Sequence, residues 1–176
     1  MWDRLRYQAS FNTDSPYPRA AVLVPVFADG DGELRLVLTK RPDTMPTHAG
    51  HISFPGGRPH DEDDGPVATA LREAEEEVGI DPGSVEVLGF LPEIHTVEYQ
   101  LLVVPVVGRL ASQPILRPSP REVARVLLPR LVDLAEADLW RSELWGDRRV
   151  WFFEIDGEIL WGATARMVRD LLALPR

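Results

Sequence analysis

The sequence predicts an α/β fold of the α+β kind: a mixed β-sheet sandwiched between helices, in one domain of residues 19–176 behind an N-terminal arm of residues 1–18. Three observations predict it. Apolar runs of strand length recur along the chain, set apart by Gly, Pro and Asp. Two longer stretches carry instead the i, i+3, i+4, i+7 spacing of an amphipathic helix. A chain of 176 residues, 44% hydrophobic and 27% charged, has the length and balance of one globular domain, which excludes a disordered or fibrous chain.

Residues 1–18 are polar and aromatic with Pro16 and Pro18, and read as extended. Residues 20–28 (AAVLVPVFA) and 34–39 (LRLVLT) flank Asp-Gly-Asp-Gly and predict a β-hairpin. Pro42, Pro46 and Gly50 make 42–51 a loop, Ile52–Phe54 a short strand, and Phe54-Pro55-Gly56-Gly57 a sharp turn. Residues 66–79 are the clearest helix: Val67, Ala70, Leu71, Ala74 and Val78 form one apolar stripe, Pro66 suits the first turn, and Gly79 suits the position after the last. Strands are predicted at 85–91, 99–107, 121–128 and 149–155, a short helix after Pro129, and a closing helix at 160–174. Pro25 and Pro105 lack a ladder donor, which predicts edge positions or bulges.

There are 28 acidic residues against 19 basic, a formal charge of −9, so a general nucleic-acid binder is excluded for want of a basic surface. The absence of cysteine removes disulfides, thiol catalysis and cysteine zinc sites. No apolar stretch follows Met-Trp-Asp-Arg-Leu-Arg, and the longest apolar runs, 20–28 and 101–107, are far short of a membrane span. The expectation is a soluble cytoplasmic protein. The Walker pattern and G-x-S-x-G are both missing, which sets aside P-loop and serine-hydrolase chemistry.

The chemistry concentrates in residues 56–80, GGRPHDEDDGPVATALREAEEEVGI. On a helix, Glu73, Glu76 and Glu77 fall within roughly a 100° arc, while Glu75 points elsewhere. Like charges at i, i+3 and i+4 destabilise a helix, and near its C-terminal end the macrodipole opposes them further. A hard divalent cation reverses that sign. The alternative is a solvated acidic face, against which stands a second acidic run, Asp61–Asp64, just behind the double glycine.

The segment resembles the Nudix box, G-x5-E-x7-R-E-U-x-E-E-x-G-U, where U is a bulky apolar residue. Arg72, Glu73, Glu76, Glu77, Gly79 and Ile80 match, with Ala74 as a small U. Upstream there is one extra residue, and either Asp63 or Asp64 stands for the first Glu. The preceding run LVLTKRPDTMPTHAGHISFPGG is similar to the signature of coenzyme A pyrophosphatases within that family, L-L-T-[KR]-R-S-x3-R-x3-G-x3-F-P-G-G. Leu38, Thr39, Lys40, Arg41, Gly50, Phe54, Pro55, Gly56 and Gly57 are in register; Pro42 replaces the usual Ser and Pro46 the usual Arg. VVPVVG (103–108), REV (121–123) and LWGATARM (160–167) resemble later segments, so that about 21–172 can be aligned.

The resemblance implies a Nudix fold, an α/β/α sandwich with a loop–helix–loop box. It also implies Mg²⁺- or Mn²⁺-dependent hydrolysis of the diphosphate of coenzyme A or its thioesters, to 4′-phosphopantetheine and adenosine 3′,5′-bisphosphate. The alternatives are a pyrophosphohydrolase for ADP-ribose or a dinucleotide, or a non-catalytic nucleotide- or protein-binding Nudix domain, which would have no need of three clustered carboxylates. Glu73, Glu76 and Glu77 are implied as metal ligands, with the Gly56 carbonyl as a further oxygen. Glu76, Arg72 and Glu122 are the catalytic candidates, Arg72 by pairing with a box carboxylate, and Glu122 as an outside candidate for the base beside Glu93. Lys40, Arg41, His48 and Gly57 are candidates to bind a small-molecule substrate, with His51 beside them; His60 and His95 read as surface residues. Trp151 and Trp161 read as core, with one exposed aromatic able to stack on adenine; Trp140 and Trp145, in a polar region, read as an apolar patch.

Overall fold

The structure, a computed structural model, describes residues 5–6, 8–11, 14–45, 47–96 and 100–173. The chain begins with β1 (Arg19–Ala28), β2 (Leu34–Leu36), β3 (Leu38–Lys40), β4 (Ile52–Ser53) and β5 (Gly56–Gly57), followed by helix α1 (Gly65–Val78). Strands β6 (Val85–Phe90), β7 (Ile94–His95), β8 (Leu102–Leu110) and β9 (Arg125–Leu127) lead into the short α2 (Leu131–Ala135). Strands β10 (Arg141–Trp145), β11 (Arg148–Ile155) and β12 (Glu158–Trp161) form a meander that ends in α3 (Gly162–Leu171).

The main sheet runs β2-β1-β8-β6, with β5 added to β1 and β7 to β8. β1 and β8 pair in parallel and the other pairs are antiparallel, so the sheet is mixed as expected. Both central strands are buried on both faces, which is why they read as unbroken apolar runs. Along β1, Ala21, Leu23 and Phe27 face a core shared with Ala70, Ala74 and Val78 of α1. Ala20, Val24 and Val26 face a second core with Leu131 and Leu134 of α2 and Ala165, Met167, Val168 and Leu171 of α3. Helices thus cover both faces, giving the α/β/α sandwich.

Pro25 and Pro105 are corrections to the sequence reading: both lie inside central strands, at neither an edge nor a bulge. Each sits where one partner ends before the next begins. On that side of β1, β5 pairs up to Val22 and β2 from Val26; beside β8, β7 pairs with Leu102–Val103 and β6 from Val106. The missing N–H therefore falls in a gap in the ladder, while the carbonyls still accept, from Val37 (3.2 Å) and Leu91 (3.1 Å). The hairpin is cut by the same divergence. Past Val37, β3 leaves β1 and pairs with β4 and β9 in a separate three-stranded sheet.

Other differences are of extent. Residues 158–161, assigned to the closing helix, are strand β12; Gly162, at φ 66, turns the chain into α3, and Leu174 lies outside the described residues. Of the predicted 121–128 strand only β9 pairs, because residues 121–124 turn back over the Ser119 carbonyl. The predicted 99–107 strand begins at Leu102 and runs to Leu110, residue 99 being undescribed. β10, with the polar sequence RSELW, was not anticipated. Trp140 belongs to the core rather than to a patch: it is 6% exposed, its indole N–H donates to the Leu134 carbonyl at 2.8 Å, and its ring meets Phe153.

Of the N-terminal arm, residues 1–4, 7, 12 and 13 lie outside the described residues, as does Pro46. Arg6 exchanges both backbone hydrogen bonds with Phe90, at 2.9 Å each, and Leu5 is buried. Gly89 permits this approach. Its φ is 146, and a Cβ there would lie 2.7 Å from the Arg6 carbonyl oxygen and 2.9 Å from Leu5. Gly89→Ala should therefore cost about 1–3 kcal/mol and release the N-terminal segment; urea melts and limited proteolysis near residue 6 would check both.

Candidate active site

Helix α1 carries most of the candidate residues, and its two ends are fixed by local chemistry. Asp64 occupies the N-cap with proline in the first turn. At the other end Gly79 is left-handed (φ 73), and the N–H groups of Gly79 and Ile80 return to the carbonyls of Glu75 and Ala74. The next orphan carbonyls, of Val78 and Glu77, accept from Arg117 and Ser119, each at 2.8 Å. The loop 117–124 is thereby fastened to the end of the helix. Its other side joins β3, the Ala124 N–H donating to the Lys40 carbonyl at 2.8 Å. Glu122, exposed on this loop, is brought near enough to raise the proton affinity of both Glu73 and Glu77.

The double glycine is a matter of space. β5 pairs antiparallel with β1, Ala21 opposite Gly57 and Val22 opposite Gly56. A Cβ on Gly56 would run into the Ala21 carbonyl and Val22, and one on Gly57 would lie 2.6 Å from both carboxylate oxygens of Glu73. Gly56 donates its N–H to Oε2 of Glu77 at 3.3 Å. Since a strand residue presents N–H and C=O on the same edge, its carbonyl faces the same acidic region.

Arg72 organises the carboxylates. Its Nε and Nη2 meet Asp63 (3.1 and 3.0 Å), Nη2 also donates to the Arg58 carbonyl (3.0 Å), and Nη1 meets Glu73 (2.9 Å) and Glu76 (3.3 Å). Asp63 accepts in addition from the His60 N–H and the Thr69 hydroxyl, both at 2.9 Å. The hydrogen bonds from Arg72 hold the Asp63 carboxyl well below the usual carboxylate range. Of the two upstream aspartates that the sequence left open, Asp63 is the one engaged with the arginine.

The acidic face is graded in depth. Glu76 is exposed, Glu73 half-buried and Glu77 7% exposed. Burial, with Glu73 and Glu122 nearby, pushes Glu77 up to about 8, while the Gly56 N–H and Arg41 pull the other way. Burial raises Glu73 as well, opposed by Arg72. Arg41 is thus beside the acidic pair, with its Nε buried and lacking a hydrogen-bond partner among the described residues. Glu75 is exposed.

Other candidates lie apart. Lys40 donates to Glu158 of β12 at 2.9 Å, a partner 118 residues away that no local pattern could announce. His48, at a positive φ of 54, meets His51 edge-on, and His51 in turn meets Trp161. Glu93 and His60 are exposed; His95 meets the Tyr17 ring at 4.2 Å, tilted by 39°. The sequence also gave no sign of Thr69 as a partner of Asp63, although a Thr six residues after an Asp at a helix start is a readable hint.

Glu73, Glu76, Glu77 and the Gly56 carbonyl are hard oxygen donors, the set that suits a divalent cation. A buried glutamate beside two further carboxylates is short of positive charge, which an ion would supply. Among the described residues no three acidic or histidine side chains already converge as a cluster, and Arg72 holds Glu73 and Glu76 to itself.

Glu77 is raised in the folded chain relative to about 4.3 unfolded. Its contribution to metal-free stability is therefore complete below that value and lost as pH rises through about 8. Asp63 is lowered, so its contribution is present above about 4 and lost on acidification. In chelator, Glu77→Gln should flatten the decline between those limits, by on the order of a few kcal/mol. Asp63→Asn should instead remove about 1–3 kcal/mol at neutral pH. Urea melts across the pH range would separate the two.

A family model described as the NUDIX domain matches residues 17–153. The chain is 42% identical over 162 residues to Nudix hydrolase 22, chloroplastic, of Arabidopsis thaliana, covering 85% of this chain and 53% of that protein, so it spans about half the length of that relative. It is 40% identical over 161 residues to the uncharacterized Nudix hydrolase NudL of Escherichia coli K12, covering 87% and 80%. Among solved structures, a MutT/nudix family protein from Enterococcus faecalis has a TM-score of 0.63 at 13% identity, covering 95% of this chain and 65% of that one. The NUDIX domain of Shewanella oneidensis NrtR, complexed with ADP ribose, has a TM-score of 0.52 at 19% identity, covering 72% and 81%. Those two likenesses are of fold alone. With a family model over most of its length, and a relative of which it covers four-fifths, the chain belongs to the Nudix family.

Proposed function

We propose that the chain is a divalent-cation-dependent pyrophosphohydrolase that cleaves the diphosphate of coenzyme A or an acyl-coenzyme A. The observation that carries the hydrolase reading is the buried Glu77 carboxylate held on the bare backbone of Gly56, with the Glu73 carboxylate against Gly57 and the Arg41 guanidinium alongside. Glu73, Glu76, Glu77 and the Gly56 carbonyl would hold Mg²⁺ or Mn²⁺, which when bound neutralises diphosphate oxygens and makes water more acidic. The chain's own residues do the rest. Arg72 fixes the carboxylates of Glu73 and Glu76. Gly57 keeps the approach free of a side chain, and Arg41 offers a buried N–H to an anionic oxygen. Glu122, exposed at the rim of the acidic pair, is the candidate to take a proton from water.

Coenzyme A as the substrate rests on the signature run from Leu38 to Gly57. One observation favours a second reading, ADP-ribose or a dinucleotide: the Lys40 ammonium is engaged by Glu158, and so is not open to the 3′-phosphate that distinguishes coenzyme A. Under this reading, turnover requires added divalent metal, and Glu76→Gln or Glu77→Gln lowers kcat by about 10³-fold. Glu75→Gln serves as control and should change little. Side-by-side kcat/KM for coenzyme A, dephospho-coenzyme A and ADP-ribose separates the substrates. A charge-assisted contact to the 3′-phosphate gives coenzyme A roughly a ten-fold advantage over its dephospho form, whereas ADP-ribose as the best substrate selects the second reading.

A further inference from the structure

The turn before α1 is fastened to the helix by a side chain other than its cap. Asp64, at the N-cap, makes no side-chain hydrogen bond to the first turn. Asp63 does the fastening: its carboxylate accepts from the His60 N–H on the loop and from the Thr69 hydroxyl on the helix, both at 2.9 Å, besides Arg72. Thr69 is fully buried. A hydroxyl in such a place is costly unless it is hydrogen-bonded. It has one proton and two acceptors in reach, Asp63 Oδ2 at 2.9 Å and the Gly65 carbonyl at 3.3 Å. The shorter bond, to a charged oxygen, is the stronger. Branching at Cβ also restricts the rotamers of Thr69, so the hydroxyl is stiffly aimed.

Arg72 meets Asp63 with two nitrogens, Nε on Oδ1 at 3.1 Å and Nη2 on Oδ2 at 3.0 Å. Such a fork orients the guanidinium only as well as the carboxylate is itself oriented. A carboxyl group turns broadly about its last bond, so other donors must set its plane. The His60 N–H comes from an exposed loop residue. Thr69 instead stands on α1, four residues before Glu73 and seven before Glu76, on one stripe of the helix. Arg72 Nη1 reaches those two glutamates at 2.9 and 3.3 Å. The contacts from Thr69 through Asp63 and Arg72 to Glu73 and Glu76 therefore start and end on the same rigid element.

We propose that Thr69 is a positioning residue of this site: its buried hydroxyl sets the plane of the Asp63 carboxylate and, through Arg72, the placement of Glu73 and Glu76. The inference rests on the pyrophosphohydrolase reading for what the two glutamates would hold, but not for the hold of Thr69 on Arg72.

The test has two readouts besides turnover. In chelator, the Nε–H of Arg72 in the ¹⁵N-labelled full chain, assigned by its loss in Arg72→Lys, reports the bond to Asp63. Wild type and Thr69→Ser should keep it slow to exchange with solvent, and Thr69→Val should speed that exchange by about ten-fold or more. Mn²⁺, titrated without substrate and followed by electron paramagnetic resonance, should bind Thr69→Val roughly ten-fold more weakly, with Thr69→Ser restoring most of the affinity. Ten-fold is the low end for a supporting residue, because two groups stand between Thr69 and the glutamates. On an Asp63→Ala background, Thr69→Val should cost no further Mn²⁺ affinity, since the route through Asp63 is already cut. Should Thr69→Val not fold, Thr69→Ala carries the same test with the residue that favours helix most. A lower urea midpoint with Arg72 exchange and Mn²⁺ affinity unchanged would overturn the inference, since Thr69 would then serve the helix alone. So would losses that add in full on the Asp63→Ala background. The two readings fail separately. A wild-type chain that binds no Mn²⁺ removes the metal-dependent hydrolase, and the Arg72 signal in chelator still decides the hold of Thr69. Metal-dependent diphosphate cleavage, with both readouts indifferent to Thr69→Val, leaves the hydrolase standing and removes the positioning role.

Discussion

The guanidinium of Arg72 is the joint on which the acidic end of the molecule is assembled. Eight carboxylates lie within its neighbourhood of sequence, four in the run Asp61–Asp64 and four on one helix, where Glu73, Glu76 and Glu77 would repel one another and the helix dipole. Arg72 engages one from the loop and two from the helix while also taking the Arg58 carbonyl, so a single planar cation closes the loop onto α1. Lysine could not do this, having no rigid fork to hold several acceptors at set angles. Of the three carboxylates that share the helix face, Glu77, the most buried, is left outside this arrangement, with the Gly56 N–H as its donor and Arg41 alongside. Charge balance is thus complete around Asp63 and incomplete around Glu77.

A second constraint is steric. α1 can lie close over β1 and β5 because the positions between them are Gly56 and Gly57 on one side and Ala70 and Ala74 on the other. Any side chain on the glycines would enter space filled by Val22 or by the Glu73 carboxylate. The small residues are therefore what brings main chain against the acidic face. They couple the packing of the sandwich to the geometry of the site, so that one cannot be altered without the other.

The divergence of β2 and β3 at Val37 has a similar double role. It leaves the gap that accommodates Pro25, and it carries Lys40 and Arg41 away from the main sheet to the place where α1, the 117–124 loop and β12 meet. The family is expressed in the helix and the glycine turn.

What was legible in the sequence is what short-range physics decides. The apolar stripe and flanking Pro66 and Gly79 determine α1; the alternating or unbroken apolar runs determine the strands; adjacency in one helix determines that Glu73, Glu76 and Glu77 share a face while Glu75 does not. Each depends on residues within a few positions of one another, and each is present in the fold. The partners across long separations were not legible: Glu158 for Lys40, Arg117 and Ser119 for the end of α1, Trp161 for His51. The same holds for the burial of Trp140 and the interior places of Pro25 and Pro105, which depend on where neighbouring strands begin and end. The sequence by itself determined the helix, its carboxylates and the glycines that face them, because periodicity and local sterics act within a turn or two. Only the tertiary structure decided which carboxylate is buried, which aspartate meets Arg72 and which cation remains without a full set of partners, because burial and charge pairing depend on how separate segments close on one another, from the loop of Asp63 folding back on α1 to the pairing of Lys40 with Glu158.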